Sequence, residues 1–141
     1  MEKQIIDDKI KELFISSRVI ALVGASKKKE KDSNIVMKFL QKSGYKVIPV
    51  NPTCINDTIH GERVYGTLLD IKEKVDIVDV FRPGEETIEI ANQTKKIGAH
   101  VLWLQLNIEN NKAKEIAIKN RIYYIDNKCT KIEFERLFGV I

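Results

Sequence analysis

Val19-Ile20-Ala21-Leu22-Val23-Gly24-Ala25-Ser26 decides the fold. Five apolar residues in a row, closed by a glycine, read as a strand buried on both faces, because a half-exposed strand would alternate apolar and polar. Before it, Ile5, Ile6, Ile10, Leu13 and Phe14 recur at helical spacing, which predicts a helix over about residues 4–16 lying against the domain. After it, a polar loop leads to Ile35, Val36, Phe39 and Leu40, again at helical period, with Gly44 as the stop and Asp32 or Ser33 as a suitable N-cap.

The alternation continues to the end of the chain. Strands are expected at Tyr45–Val50, Val75–Phe81, Val101–Leu106 and Ile122–Ile125, and helices at Glu85–Ile97, Glu109–Asn120 and Ile132–Phe138. Residues 52–66, rich in turn formers, read as a long loop with one short extended piece, and Thr67 as the cap of a short helix through Glu73. Strands alternating with helices give a doubly wound, parallel, five-stranded α/β sheet with helices on both faces. No linker or repeat divides the chain, so residues 1–141 are expected to form a single domain.

Composition sets outer bounds. The chain has 141 residues, 43% hydrophobic and 31% charged, which fits a folded core rather than disorder. Two separated cysteines, Cys54 and Cys129, make neither a disulfide framework nor a close-spaced zinc pair. No apolar run approaches the roughly 20 residues that span a bilayer, and the polar Met1–Lys11 stretch does not read as a secretory leader. A cytoplasmic location is therefore expected, without a membrane contact. The net charge of +4 is spread widely, unlike the clustered basic face of a nucleic-acid binder, so no nucleic acid is expected as a partner.

In a doubly wound sheet the ligand lies outside the carboxyl ends of the strands, where the strand order reverses. The residues that follow Val23, Val50, Val80, Leu104 and Ile125 are therefore the candidates. Gly24-Ala25-Ser26 lets the backbone turn sharply beside a phosphate, with Ser33 and Asn34 at the next helix start. Lys27-Lys28-Lys29-Glu30-Lys31 falls in the same loop and reads either as solvated surface or as a phosphate contact. Arg82 is a planar cation suited to phosphate, Phe81 either stacks on a base or packs in the core, and Gln105 can offer an amide.

Other chemistries fit less well. The dinucleotide fingerprint G-x-G-x-x-G is reduced to Gly24, and Asn51-Pro52 stands where an acidic residue would hold a ribose diol. No Walker-type Gly-Lys-Ser/Thr ending is present. Cys129, beside Lys128 and near Asp126, reads as a candidate low-pKa nucleophile or as a spectator. His60 and His100 stand apart, His100 on the amino side of its strand, and make no metal site.

Taken together, Gly24-Ala25-Ser26, Val47–Pro52, Val75–Pro83, Gly98-Ala99, Trp103–Leu106 and Asp126 through Cys129 to Glu133 resemble the small stand-alone CoA-binding domain family. That family is similar to the CoA-binding domain of succinyl-CoA synthetase α subunits, a Rossmann-like fold without the NAD fingerprint. The resemblance covers about residues 12–138. It implies coenzyme A as the ligand, and the first reading taken from it is a non-catalytic domain that binds CoA or an acyl-CoA as a carrier or sensor. It places Gly24, Ala25, Ser26, Ser33 and Asn34 on the phosphates. Val50, Asn51 and Pro52 would border the adenosine, with Phe81, Arg82, Pro83 and Gln105 along the rest of the groove. The 3′-phosphate of CoA gives Lys27 and its neighbours a purpose. Asn107 stands where the family usually has glycine, so the turn there requires a left-handed asparagine. Three alternatives stay open: an NAD(P)-binding oxidoreductase, a CoA-dependent transferase using Cys129, and a protein-interaction module that has lost its ligand. A protein partner or a homo-oligomer is left undetermined.

Overall fold

The computed structural model describes residues 1–139. Five strands form one parallel sheet: β1 (Val19–Val23), β2 (Lys46–Val50), β5 (Ile77–Val80), β6 (Val101–Leu104) and β7 (Tyr123–Ile125), in the order β2-β1-β5-β6-β7. The chain moves outward from β1 to β2, then returns to the other side of β1 to lay down β5, β6 and β7. The order therefore reverses between β1 and β5, and the carboxyl ends of these strands splay open there.

The sheet is covered on both faces, as its unbroken apolar strands require. Ala21, Val23, Val78, Val80, Leu102 and Leu104 point to one side, onto α3 (Thr87–Ile97) and α4 (Asn111–Lys119). Ile20, Leu22, Ile77, Val101 and Trp103 point to the other, onto α1 (Glu2–Ser16), α2 (Asp32–Lys42) and α5 (Thr130–Phe138). Trp103 is fully buried, its ring centroid 5.4 Å from that of Phe14, and its indole N–H donates to the Lys128 carbonyl at 2.8 Å. Pro49 sits within β2 at the sheet edge, where the missing N–H costs least.

Several boundaries differ from the sequence reading for local reasons. α1 buries Ile10, Leu13 and Phe14, but Ile5 is 64% exposed and Ile6 42%, because only the second half of the helix reaches the sheet layer. The helix expected from Glu85 opens with a 3₁₀ turn at Gly84–Glu86, and the α-helix starts at Thr87, whose hydroxyl donates to the Gly84 carbonyl at 2.6 Å. The helix expected from Glu109 starts at Asn111, since the Asn110 side chain accepts from the Ala113 N–H at 3.0 Å and caps it. Thr67 caps only a 3₁₀ turn, Leu68–Asp70.

The stretch expected as a loop at 52–66 holds a small antiparallel hairpin, β3 (Thr58–Ile59) and β4 (Glu62–Arg63). His60 and Gly61 form its tip with φ of 47° and 82°, the positive pair that a tight two-residue hairpin turn demands. Tyr65 then straps the hairpin to β2, its N–H donating to Pro49 at 3.0 Å and its carbonyl accepting from Asn51 at 2.8 Å.

Candidate functional site

The order reversal opens into a groove of about 690 Å³ at the carboxyl ends of β1, β2 and β5. Its floor is the turn after β1. Gly24 has φ of 91°, and a Cβ built on it would lie 2.8 Å from the Phe81 carbonyl oxygen. Only glycine lets β1 and the segment after β5 approach this closely. The Gly24 and Ala25 N–H groups both donate to the Val50 carbonyl, at 3.0 and 3.3 Å, so this pair is anchored to β2.

Two asparagines shape the loop that follows. Asn51 donates from its amide to the Ala25 carbonyl at 2.7 Å, and Asn34 donates to the Ser26 carbonyl at 2.8 Å. A trans peptide points its N–H opposite its C=O, so the Ser26 and Lys27 N–H groups are turned away from both asparagines. The Asn51 amide oxygen in turn accepts from the Thr53 N–H at 2.8 Å and its hydroxyl at 2.7 Å. His60 Nε2 lies 2.8 Å from the Asn34 amide oxygen, which ties the hairpin tip to the same loop.

The second wall is the start of α2. The expected cap, Asp32 or Ser33, is instead the first helical turn. Lys31 occupies the N-cap position with no side-chain cap bond. A helix start without a capping side chain leaves backbone N–H donors and the positive end of the dipole unspent. Lys31, Asp32 and Ser33 all line the groove.

The third wall carries Arg82 and the outer face of α3. Arg82 makes a two-pronged pair with Glu86, at 3.1 Å through Nε and 2.7 Å through an outer nitrogen. This bond raises the guanidinium pKa and lowers that of the Glu86 carboxyl. Glu86, Glu89, Ile90 and Gln93 line the groove together. The sequence reading overlooked them, although their i, i+3, i+4, i+7 spacing puts them on one helix face.

Of the residues singled out in the sequence, Gly24, Ala25, Ser26, Ser33, Val50, Asn51, Pro52, Phe81 and Arg82 lie together on the groove. Pro83 lies just beyond that lining, leading into the 3₁₀ turn. Asn34 is 5% exposed and sits behind the loop. Lys27 pairs with Asp57 of the hairpin at 2.9 Å, and this bond raises its pKa, so Lys31 is the member of the lysine run on the groove. Gln105 is turned inward. Its amide donates to Asp79, and to the Thr130 hydroxyl at 3.1 Å, while Thr130 donates to Asp79 at 3.0 Å.

Asp79 is the chemical feature the sequence reading missed. It sits within β5, fully buried, and burial pushes its carboxyl up to about 7 against the opposing pull of its two donors. Cys129 is half-buried at the start of α5. Neither histidine attends it: His60 faces Asn34, and His100 lines a depression at the opposite, amino edge of the sheet. Asn107 adopts φ of 67° and donates its N–H to the Asn127 side chain at 2.8 Å, so asparagine makes the left-handed turn.

Comparison with known proteins places this geometry. A family model described as a CoA binding domain matches residues 18–135. The Bacillus subtilis protein YneT, itself uncharacterized, is 34% identical, covering 87% of this chain and 90% of that one. A hypothetical protein from Pyrococcus horikoshii OT3 superposes with a TM-score of 0.90 at 41% identity, over 94% of this chain and 92% of that chain. The ADP-forming acetate–CoA ligase of Methanocaldococcus jannaschii is 30% identical over 80% of this chain, which spans only 17% of the ligase.

Proposed function

The chain belongs to the CoA-binding domain family, and from that membership we propose that it binds coenzyme A or an acyl-CoA in the groove between β1, β2 and β5, as a carrier or sensor rather than an enzyme. The observation that carries this reading is the uncapped start of α2 beside the Gly24 turn. Together they face the groove with backbone donors, the Ser33 side chain and Lys31. Such a set fits a diphosphate. Arg82 stands opposite as the second cationic group. Val50, Pro52, Leu68 and Ile90 give the apolar surface an adenine ring needs.

The nicotinamide alternative is disfavoured by Asn51. Its amide is committed to Ala25 and Thr53, so it neither supplies a carboxylate nor is free to face a ribose diol. The polar side chains at the strand ends are bonded to one another and to the loop, which suits holding a ligand more than transforming it.

Two measurements test the proposal. A ligand that binds only the native state adds RT ln(1 + [L]/Kd), about 2.7 kcal/mol at a hundredfold excess over Kd. Coenzyme A at saturating concentration should therefore raise the melting temperature by roughly 5–10 °C, whereas NAD at the same concentration should leave it unchanged. A shift with NAD and none with CoA would overturn the proposal.

The second measurement concerns Arg82. Because Glu86 already occupies its guanidinium, Glu86→Gln should strengthen CoA binding several-fold by freeing the cation for phosphate. Arg82→Ala should weaken binding about tenfold and flatten its salt dependence. Calorimetric titration at two ionic strengths reads both, and unchanged affinities would remove Arg82 from the site.

A further inference from the structure

A second cavity, of about 350 Å³, opens beside the main groove and shares Asp32 and Phe81 with it. Its aliphatic walls come from three separate places, Ile35 and Val36 from α2, Leu106 and Ile108 from the segment after β6, and Ile132 from α5, with Gln105 and the Cys129 thiol also in the lining. Ile35 is 45% exposed, and Leu106 and Ile132 are each 50% exposed. One half-exposed aliphatic side chain on a surface needs no explanation, but three converging on one concavity mark a binding surface. The left-handed Asn107 lies in a tight turn closed by the Ile108 N–H donating to the Gln105 carbonyl at 3.1 Å, and the half-exposed Leu106 of that turn lines the cavity.

We propose that this cavity is an acyl subsite, taking the uncharged aliphatic acyl chain of a thioester whose nucleotide end lies in the main groove. The assignment rests on the CoA reading above and names the class of acyl group that reading leaves open. Asp32 and Phe81 line both spaces, so a pantetheine arm leaving the main groove can carry its thioester into this cavity. The charges at the rim choose an alkyl chain over a dicarboxylic one. The Asp32 carboxylate borders the cavity and the lining Lys131 is paired with Glu135 at 3.1 Å, so a terminal carboxylate would face Asp32 and have to compete with Glu135, whereas an alkyl chain does neither.

Calorimetric titration of the full chain with CoA, acetyl-CoA, butyryl-CoA, hexanoyl-CoA and succinyl-CoA tests the assignment. A fully buried methylene strengthens binding about fourfold. With walls that are partly open, butyryl-CoA should bind about tenfold tighter than acetyl-CoA, and succinyl-CoA no tighter than acetyl-CoA. The double variant Ile35→Ser, Ile132→Ser changes two exposed positions and should erase this ladder to within about twofold, with free CoA affinity unchanged. Equal affinities for CoA and every thioester overturn the acyl subsite and leave CoA binding standing. Tighter binding of succinyl-CoA than butyryl-CoA overturns it in favour of a charged acyl group. Binding of none of the five overturns both.

Discussion

Asp79→Asn should make the protein more stable at neutral pH, by an amount that grows as the pH rises from about 4 to 7 and is level above that. In the wild type, burial keeps the native carboxyl neutral up to about 7, whereas an unfolded aspartate ionises near its ordinary value of 3.8. Between those values the native state holds a proton the unfolded state has released. Stability therefore falls with rising pH throughout that window, and above it both states are ionised and no further loss occurs. The asparagine variant has nothing to titrate, so the difference between the two proteins isolates this one group. Its full size at pH 8 is on the order of a few kcal/mol. Urea unfolding of both proteins from pH 4.5 to 8 measures it. A constant, pH-independent loss in the variant would mean that Gln105 and Thr130 hold the native carboxylate ionised against burial.

The second large effect falls on the turn after β1. Gly24→Ala should cost about 2–4 kcal/mol, since it combines a left-handed backbone with overpacking. The new methyl group would press on the Phe81 carbonyl at 2.8 Å and on Arg82 Cδ at 3.0 Å, both at the heart of the groove. Relief requires β1 and the segment after β5 to part, which would also move Arg82 and weaken CoA binding more than tenfold. Gly44→Ala is the matched control. It has φ of 104° with nothing within 4 Å of the added carbon, so it bears the backbone strain alone and should cost about 1 kcal/mol. Equal losses in the two variants would show that close approach at Gly24 does not matter.

These two residues mark the boundary of what could be read without coordinates. Gly24 was visible because it closes an apolar run, and its neighbourhood follows from chain connectivity. Asp79 was not. In Val78-Asp79-Val80 it looks like the polar half of an alternating strand, and only the packing of α5 across that face, bringing Thr130 to it, turns it into a buried acid. Gln105 poses the same question: its amide bonds to the buried Asp79, while the residue also lines the cavity beside the main groove. A polar residue just past a strand end can turn outward to a ligand or inward to an acid 26 positions away, and the sequence treats both alike.

The alternation of strands and helices, the two-sided burial of the sheet and the sheet edge that gathers the strand-end residues can all be read from the chain alone. Those follow from hydrophobic period and from the right-handed crossover, both local properties of a chain. Which polar groups at that edge are free emerges only from the packing. Asn34, Asn51 and Lys27 are engaged by the loop, by Asp57 and by the hairpin at residues 58–63, and Arg82 by Glu86, while Ser33 and the start of α2 stay open. Hydrogen bonds between residues distant in the chain leave no periodic trace, so their partners become legible only once the segments are packed.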